Sequence, residues 1–277
     1  MKKNIPKLLI LIIRIFFKKS IKLLEHNGEA ISDYPTNLGW YLAPFPMEKG
    51  KPFCADNLAT TARHSFLKDE HFISAMKAGE SRWGNIKNKR DISWRLDIML
   101  SAVSYSLKIS NESSIFVECG TGKGYMAAAI CDYFKNVNNF PNFFLIDSFM
   151  PHIPDIEGNQ DSGNVSFVYS DGDSEVRTYF EKFEQVKVMK GYIPKILENL
   201  PNENEISFLH LDLNSAIAEK EALEYLSSRI QKGGIILFDD YGYLGSEDQA
   251  IIHEKFSIKM NFRLFTFPTG QAMYINI

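Results

Sequence analysis

From Ile115 onward the chain predicts a doubly wound α/β fold around a mostly parallel, seven-stranded sheet, carrying an N-terminal helical extension. Three observations support this. Five short apolar runs recur with little polar alternation, as strands covered on both faces require. Helical stretches separate them, and that alternation is the mark of parallel βαβ units. The last two strand-like runs are joined by Pro268-Thr269-Gly270-Gln271, a spacing that suits an antiparallel pair closing one edge of the sheet.

The elements follow in order. Residues 8–17 (Leu-Leu-Ile-Leu-Ile-Ile-Arg-Ile-Phe-Phe) are flanked by lysines. Ten residues rise about 15 Å as a helix, against roughly 30 Å of hydrocarbon, so this run does not span a bilayer alone. No small-residue cleavage site follows it, so it does not read as a signal peptide. Residues 1–25 read as a basic amphipathic helix, either lying on an anionic membrane surface or docked on the body or on a second subunit. Residues 28–57, rich in Pro, Gly and aromatics, read as an irregular linker or a flap over a site. Residues 58–80 and 92–108 read as helices. In the second, Trp94, Ile98, Leu100, Val103 and Leu107 recur at helical spacing after Asp91, a candidate cap. Residues 26–110 would together cover the site built by residues 111–277.

Strands are expected at Ile115–Cys119, Phe143–Ile146, Val186–Met189, Ile206–Leu211, Gly234–Phe238, Phe262–Phe267 and Ala272–Ile277. Helices are expected at Tyr125–Phe134, Glu175–Phe183, Tyr192–Leu200 and Ala218–Ile230.

The chain of 277 residues is 45% hydrophobic and 23% charged, which excludes a disordered protein. Its net charge of −3 gives no reason to expect nucleic acid as a partner. The distribution is uneven: residues 1–25 carry +6 and the remainder −9. Three cysteines (Cys54, Cys119, Cys131) fit neither a disulfide framework nor a Cys-x-x-Cys metal site, and they suit a reducing, cytoplasmic setting.

The stretch Phe116-Val117-Glu118-Cys119-Gly120-Thr121-Gly122-Lys123-Gly124 is an apolar strand ending in an acid, followed by three alternating glycines and a helix start. Glycine allows a sharp turn and close approach to a ligand, and the helix start presents free N–H groups. A phosphate-cradling loop needs Ser or Thr after the lysine, and Gly124 stands there. A dinucleotide fingerprint needs a third glycine where Tyr125 stands, which disfavours a NAD-binding module. The pattern Glu-x-Gly-x-Gly-x-Gly instead resembles class I S-adenosylmethionine-dependent methyltransferases, whose fold is Rossmann-like. The resemblance places cofactor at Glu118, Gly120, Thr121, Gly122 and Gly124. Asp147, 29 residues after Glu118, closes the next strand and can accept from two vicinal ribose hydroxyls, with Ser148 beside it.

Asp212 closes the fourth strand, and Asp239 and Asp240 close the fifth. Neighbouring parallel strands would bring these acids together beside the glycine loop. Clustered carboxylates repel unless something cationic sits between them, and a hard divalent ion such as Mg²⁺ suits oxygen ligands. It could chelate an acceptor hydroxyl and lower its pKa. The bland alternative is a solvated Asp-Asp loop with Asp212 capping a helix.

Phe208-Leu209-His210-Leu211-Asp212, Glu221-Ala222-Leu223-Glu224 and Gly233–Gly242 look like the macrocin O-methyltransferase family. So do Val188–Pro194 and Asp147-Ser148-Phe149, and the resemblance covers roughly residues 90–277. It implies methylation of a sugar hydroxyl, with Mg²⁺ held by Asp212, Asp239 and Asp240. Three departures bear on the substrate. Asn214 stands where the family has a second acid, its usual tyrosine is missing, and Phe267–Gln271 looks like a distinct branch.

For a base, His210 lies two residues before Asp212 and so shares its strand face. Asp212 and His210 are the candidate catalytic residues; His253 is a weaker one, and Cys119 reads as packing. The sequence thus reads as a cytoplasmic O-methyltransferase that uses S-adenosylmethionine and Mg²⁺ on a glycan, lipid-linked saccharide or glycosylated natural product. Membrane association through the arm and homo-oligomerisation stay open. The alternatives are a non-sugar acceptor, or a non-catalytic scaffold in glycan assembly.

Overall fold

The computed structural model describes residues 53–55, 58–60, 65–84, 91–150, 173–243 and 245–277. The basic arm and most of the irregular segment expected at residues 28–57 lie outside them. Residues 53–277 form one unit. No helix among the described residues is long and apolar enough to cross a membrane.

Two short strands, β1 (Phe53–Ala55) and β2 (Leu58–Thr60), pair antiparallel with Ala55 opposite Leu58. The helix expected over residues 58–80 therefore starts later. A 3-10 turn at Ser65–Lys68 precedes α1 (Glu70–Glu80), whose start is set by Asp69: its side chain caps the helix, accepting from the His71 amide at 2.9 Å.

Helix α2 (Ser93–Ile109) begins as expected, although the cap residue is Ile92. Asp91 still contributes, accepting from the Ser93 amide at 3.0 Å. The buried face, however, is Arg95, Leu96, Met99, Leu100, Val103 and Ser106. Leu100 and Val103 of the expected stripe lie on it, whereas Trp94, Ile98 and Leu107 are half-buried. The buried face also takes in Arg95.

The main sheet is made of β3 (Ser114–Cys119), β4 (Asn142–Asp147), β5 (Val186–Lys190), β6 (Glu205–Leu211), β7 (Ile230–Phe238), β8 (Phe265–Thr266) and β9 (Ala272–Ile275). Its order is β5-β4-β3-β6-β7-β9-β8. The first five strands are parallel; β9 runs antiparallel to β7 and β8. This is the expected seven-stranded sheet. The strand order reverses between β3 and β6, and ligands of such sheets bind at the carboxyl ends of the strands at this switch point.

Alternate side chains of each strand feed two cores. Phe116, Phe143, Leu145, Phe208, Ile235 and Leu237 pack with α2 and with α3 (Tyr125–Tyr133). Ile115, Val117, Phe144, Ile146, Leu209 and Phe238 pack on the other face with α5 (Ala216–Leu226) and α6 (Glu247–Lys259). All six residues of β3 are buried, which explains its unbroken apolar run.

Other departures have local causes. Helix α4 is Ser174–Phe180. The helix expected at Tyr192–Leu200 is only a 3-10 turn, Lys195–Asn199, because Pro194 lacks an N–H and disfavours helical backbone at Ile193. Strand β7 starts at Ile230, four residues earlier than expected, and β8 keeps only two residues of the expected run.

Cys119 and Cys131 are buried and free. Burial pushes the Cys131 thiol up to about 12 and raises that of Cys119 further. Neither offers a thiolate at neutral pH. Peptide mapping after treatment of the folded chain with a thiol reagent is expected to find both unmodified, and both labelled after denaturation. Labelling of either in the native protein would contradict the packing of β3 or α3.

Candidate active site

The strand ends at the switch point are tied together beyond the strands themselves. The Gly120 amide donates to Ile146 O at 2.8 Å, the Asp212 amide to Cys119 O at 2.9 Å and the Asp239 amide to Leu211 O at 2.9 Å. The glycine loop, Asp147, Asp212 and Asp239 thus share one rim.

Gly120 must be glycine. Its φ is +92°, and an added Cβ would stand 1.7 Å from the Asp212 carbonyl oxygen. The loop ends at Gly124, which precedes α3 with φ +85° and no side-chain cap. Thr121 is buried, and its hydroxyl makes no hydrogen bond among the described residues. An orphaned donor on a glycine loop suits a polar ligand.

Asp147 ends β4 and braces the loop. One oxygen accepts from the Gly122 amide at 2.8 Å and the other from the Phe149 amide at 2.7 Å. Burial raises its pKa while these amides pull it back. Each oxygen keeps a second lone pair, so the carboxylate can still accept from a diol. Ser148 is half-buried and its hydroxyl oxygen accepts from the Met150 amide at 3.3 Å.

Glu118 lies one layer beneath. It is 1% exposed, and Oε1 lies 3.0 Å from His210 Nδ1 across the β3–β6 pair. Oε2 makes no hydrogen bond among the described residues; Thr121 is close enough to favour its charge without bonding geometry. Glu118 thus supports the loop from below.

His210 does not have the makings of the expected base. It is 1% exposed, and its Nε2 lies 3.7 Å from Asp239 Oδ1. Burial alone would lower its pKa, but Asp239 and Glu118 on either side outweigh it and hold the imidazole at about 10. At neutral pH it already carries a proton on each ring nitrogen and has no lone pair left to accept another. His253, the weaker candidate, is fully buried on Glu219.

The acid cluster has a cation that sequence reasoning missed. Arg95, 6% exposed, pairs with Asp239 Oδ2, lies 3.8 Å from Asp240 Oδ1 and donates to Thr269 O at 3.3 Å. Its guanidinium carbon is 4.7 Å from the centre of the Tyr243 ring. Gln271 donates to Asp239 Oδ1 at 2.9 Å. Burial pushes Asp239 toward protonation, but Arg95, His210 and Gln271 hold it below the ordinary range. Asp212 is raised by burial and by the charges of Asp239 and Asp240; Asp240 is pushed up to about 6 by burial and by Asp239. Arg95 therefore leaves part of the cluster's charge uncompensated.

Ligand atoms of His210, Asp212 and Asp239 lie within 4.8 Å of one another. Asp240 stands outside that tightest group, toward Arg95. The cluster fits a hard divalent ion in donor type and in excess negative charge, with Arg95 sharing Asp239. Asn214, with φ +52°, is exposed and its amide reaches Asp212 Oδ1 only at 3.4 Å.

Behind the rim, Glu219 of α5 is fully buried. It accepts from Gln249 at 2.9 Å and from the Leu213 amide at 3.4 Å, and it pairs with His253. The His253 ring packs on Phe238 with centroids 4.1 Å apart. This network fastens α5 and α6 to the turn that follows Asp212.

Comparison with known proteins bears on the fold. Residues 117–241 match the family model described as a methyltransferase domain. The structure of the O-methyltransferase NovP aligns with a TM-score of 0.55 at 19% identity, over 66% of this chain and 79% of that one. CalS11, a calicheamicin methyltransferase, aligns with a TM-score of 0.54 at 15% identity, over 77% of this chain and 94% of that one. Its apo form, described as a TDP-rhamnose 3'-O-methyltransferase, aligns at 0.51 with 15% identity, over 77% and 96%. No curated protein matches the chain. The fold is therefore that of the class I S-adenosylmethionine-dependent methyltransferases, and the stretch matching the methyltransferase-domain model runs from the first strand of its parallel sheet to just past Asp240.

Proposed function

We propose that this chain is an S-adenosylmethionine-dependent O-methyltransferase whose acceptor is a sugar hydroxyl of a glycan, a lipid-linked saccharide or a glycosylated natural product. The observation that carries it is the joint at the switch point, where Gly122 is bonded to Asp147 on one side and Cys119, at the head of the loop, to Asp212 on the other. The sugar assignment draws support from CalS11, described as a TDP-rhamnose 3'-O-methyltransferase. A lipid-linked saccharide is the acceptor that would make use of a basic arm at residues 1–25.

In this reading the glycine loop, the Thr121 hydroxyl, Asp147 and Ser148 hold the cofactor, and Glu118 lies buried beneath them, paired with His210. Bound S-adenosylmethionine supplies an electrophilic methyl group; transfer to a hydroxyl oxygen breaks the carbon–sulfur bond, leaves a neutral thioether and releases one proton. Asp212, Asp239 and Asp240 would hold Mg²⁺, which, when bound, acidifies the acceptor hydroxyl. Asp212 is the partly exposed acid of the cluster, and to it we assign orientation of that hydroxyl. Helix α2 brings Arg95 to the same rim, in keeping with a covering role for residues 26–110.

Asn214 favours a second reading, a scaffold without catalysis, because it removes one acid from the rim. Calorimetry separates the two. The purified chain is expected to bind S-adenosylmethionine and not NAD, and Asp147→Ala is expected to weaken that binding by about tenfold or more, the worth of a charge-assisted hydrogen bond. Methylation of one member of a saccharide panel then completes the assignment. Failure to bind S-adenosylmethionine would remove the enzymatic reading.

A further inference from the structure

Arg95 is a long cation placed inside the rim, and its position is not one that its helix favours. It is the third residue of α2, where the helix dipole is positive and a basic side chain is disfavoured. What holds the guanidinium there is its set of contacts. It pairs with Asp239, lies 3.8 Å from Asp240, donates to the Thr269 carbonyl and stacks near Tyr243, all at 6% exposure. Gln271 takes the other oxygen of Asp239. Both oxygens of that carboxylate are thus engaged by N–H donors, one of them charged.

A hard divalent ion needs those same oxygens and repels a guanidinium at such distances. On the reading that Asp212, Asp239 and Asp240 hold a metal, the two cations meet on shared ligands. We infer that Arg95 and the divalent ion compete for Asp239 and Asp240, so that Arg95 sets how tightly the site takes a metal. Two consequences follow. Without metal the cluster keeps a counter-ion, and the rim stays assembled. With metal, Arg95 gives up part of its hold on Asp239 and Asp240, and helix α2 is the element that senses the exchange.

The test uses the full chain without cofactor or acceptor, and Mn²⁺ as the probe, with free ion counted by electron paramagnetic resonance. Arg95→Met removes the charge and keeps the length; Arg95→Gln is a second neutral variant should the first fold poorly, and thermal melts report folding. A neutral variant is expected to bind Mn²⁺ about tenfold or more tightly than the wild type, the scale of a close charge pair. Arg95→Lys is expected to stay near the wild type, and Asp239→Asn in the neutral background to abolish the gain. Equal or weaker binding by both neutral variants, with the wild type binding one ion, would overturn the competition and leave the metal site standing. No binding by wild type or variants would overturn both. Tighter binding that survives Asp239→Asn would place the ion elsewhere and overturn the competition.

Discussion

Gly120→Ala is expected to destabilise the fold by about 3 kcal/mol or more and to abolish S-adenosylmethionine binding. The added Cβ would lie 1.7 Å from the Asp212 carbonyl oxygen and 2.4 Å from its carbon, inside any tolerable contact. Neither side can retreat cheaply. The Gly120 amide is bonded to Ile146 O and the Asp212 amide to Cys119 O, so separating the pair parts β3 from both neighbours at the rim. The φ of +92° adds backbone strain for any side chain. Gly84→Ala is the control: φ is +60° there too, but nothing lies within 4 Å of the added Cβ, and a loss of only about 1 kcal/mol is expected. Thermal denaturation with calorimetric cofactor binding measures both. A Gly120→Ala protein with native stability and affinity would mean that the β3–β6 rim is not packed as described.

The second large effect is expected at Glu219, which binds no ligand in the proposed reading. Glu219→Ala leaves His253, Gln249 and the Leu213 amide without their common acceptor in a fully buried site. Breaking a buried pair from one side costs about 3–5 kcal/mol, because the remaining partner stays desolvated. Replacing both members with apolar groups removes that orphan, so Glu219→Leu with His253→Leu is expected to recover much of the loss. Urea unfolding reads this as a lower midpoint at unchanged slope for the single variant, and a partial return for the double. If the double variant is as unstable as the sum of two singles, the pair acts through separate contacts and not as one network.

The two predictions also mark how far the site was legible in the sequence. Gly120 was legible because its signal is local: an apolar strand, an acid and spaced glycines lie within nine residues, and only a close approach explains them. Asp147, Asp212, Asp239 and Asp240 were legible for a related reason. Each ends an apolar run, and parallel strands put their carboxyl ends on one edge. Glu219 was not legible, since on α5 it reads as an ordinary solvated acid; its burial depends on His253 and Gln249 arriving from α6. Arg95 was not legible, because a charged residue beside the stripe Trp94, Ile98, Leu100, Val103 and Leu107 reads as solvated. Packing on the sheet buries it with Leu100 and Val103 and leaves Trp94, Ile98 and Leu107 half-buried. His210 shares a strand face with Asp212 in the sequence pattern, but only the register opposite Glu118, with Asp239 on its other side, makes it an imidazolium and not a base.

The sequence alone therefore determined the layered α/β fold, its seven strands and the rim on which ligand chemistry sits. Those features follow from periodicity and glycine geometry, which act over a few residues. The tertiary structure decided which charged groups face one another: Arg95 on Asp239, His210 on Glu118, Glu219 on Gln249 and His253. Such pairings join residues 30 to 144 positions apart. They depend on strand register and helix rotation, which are set by the packing of the whole core and leave no trace in any short stretch of chain.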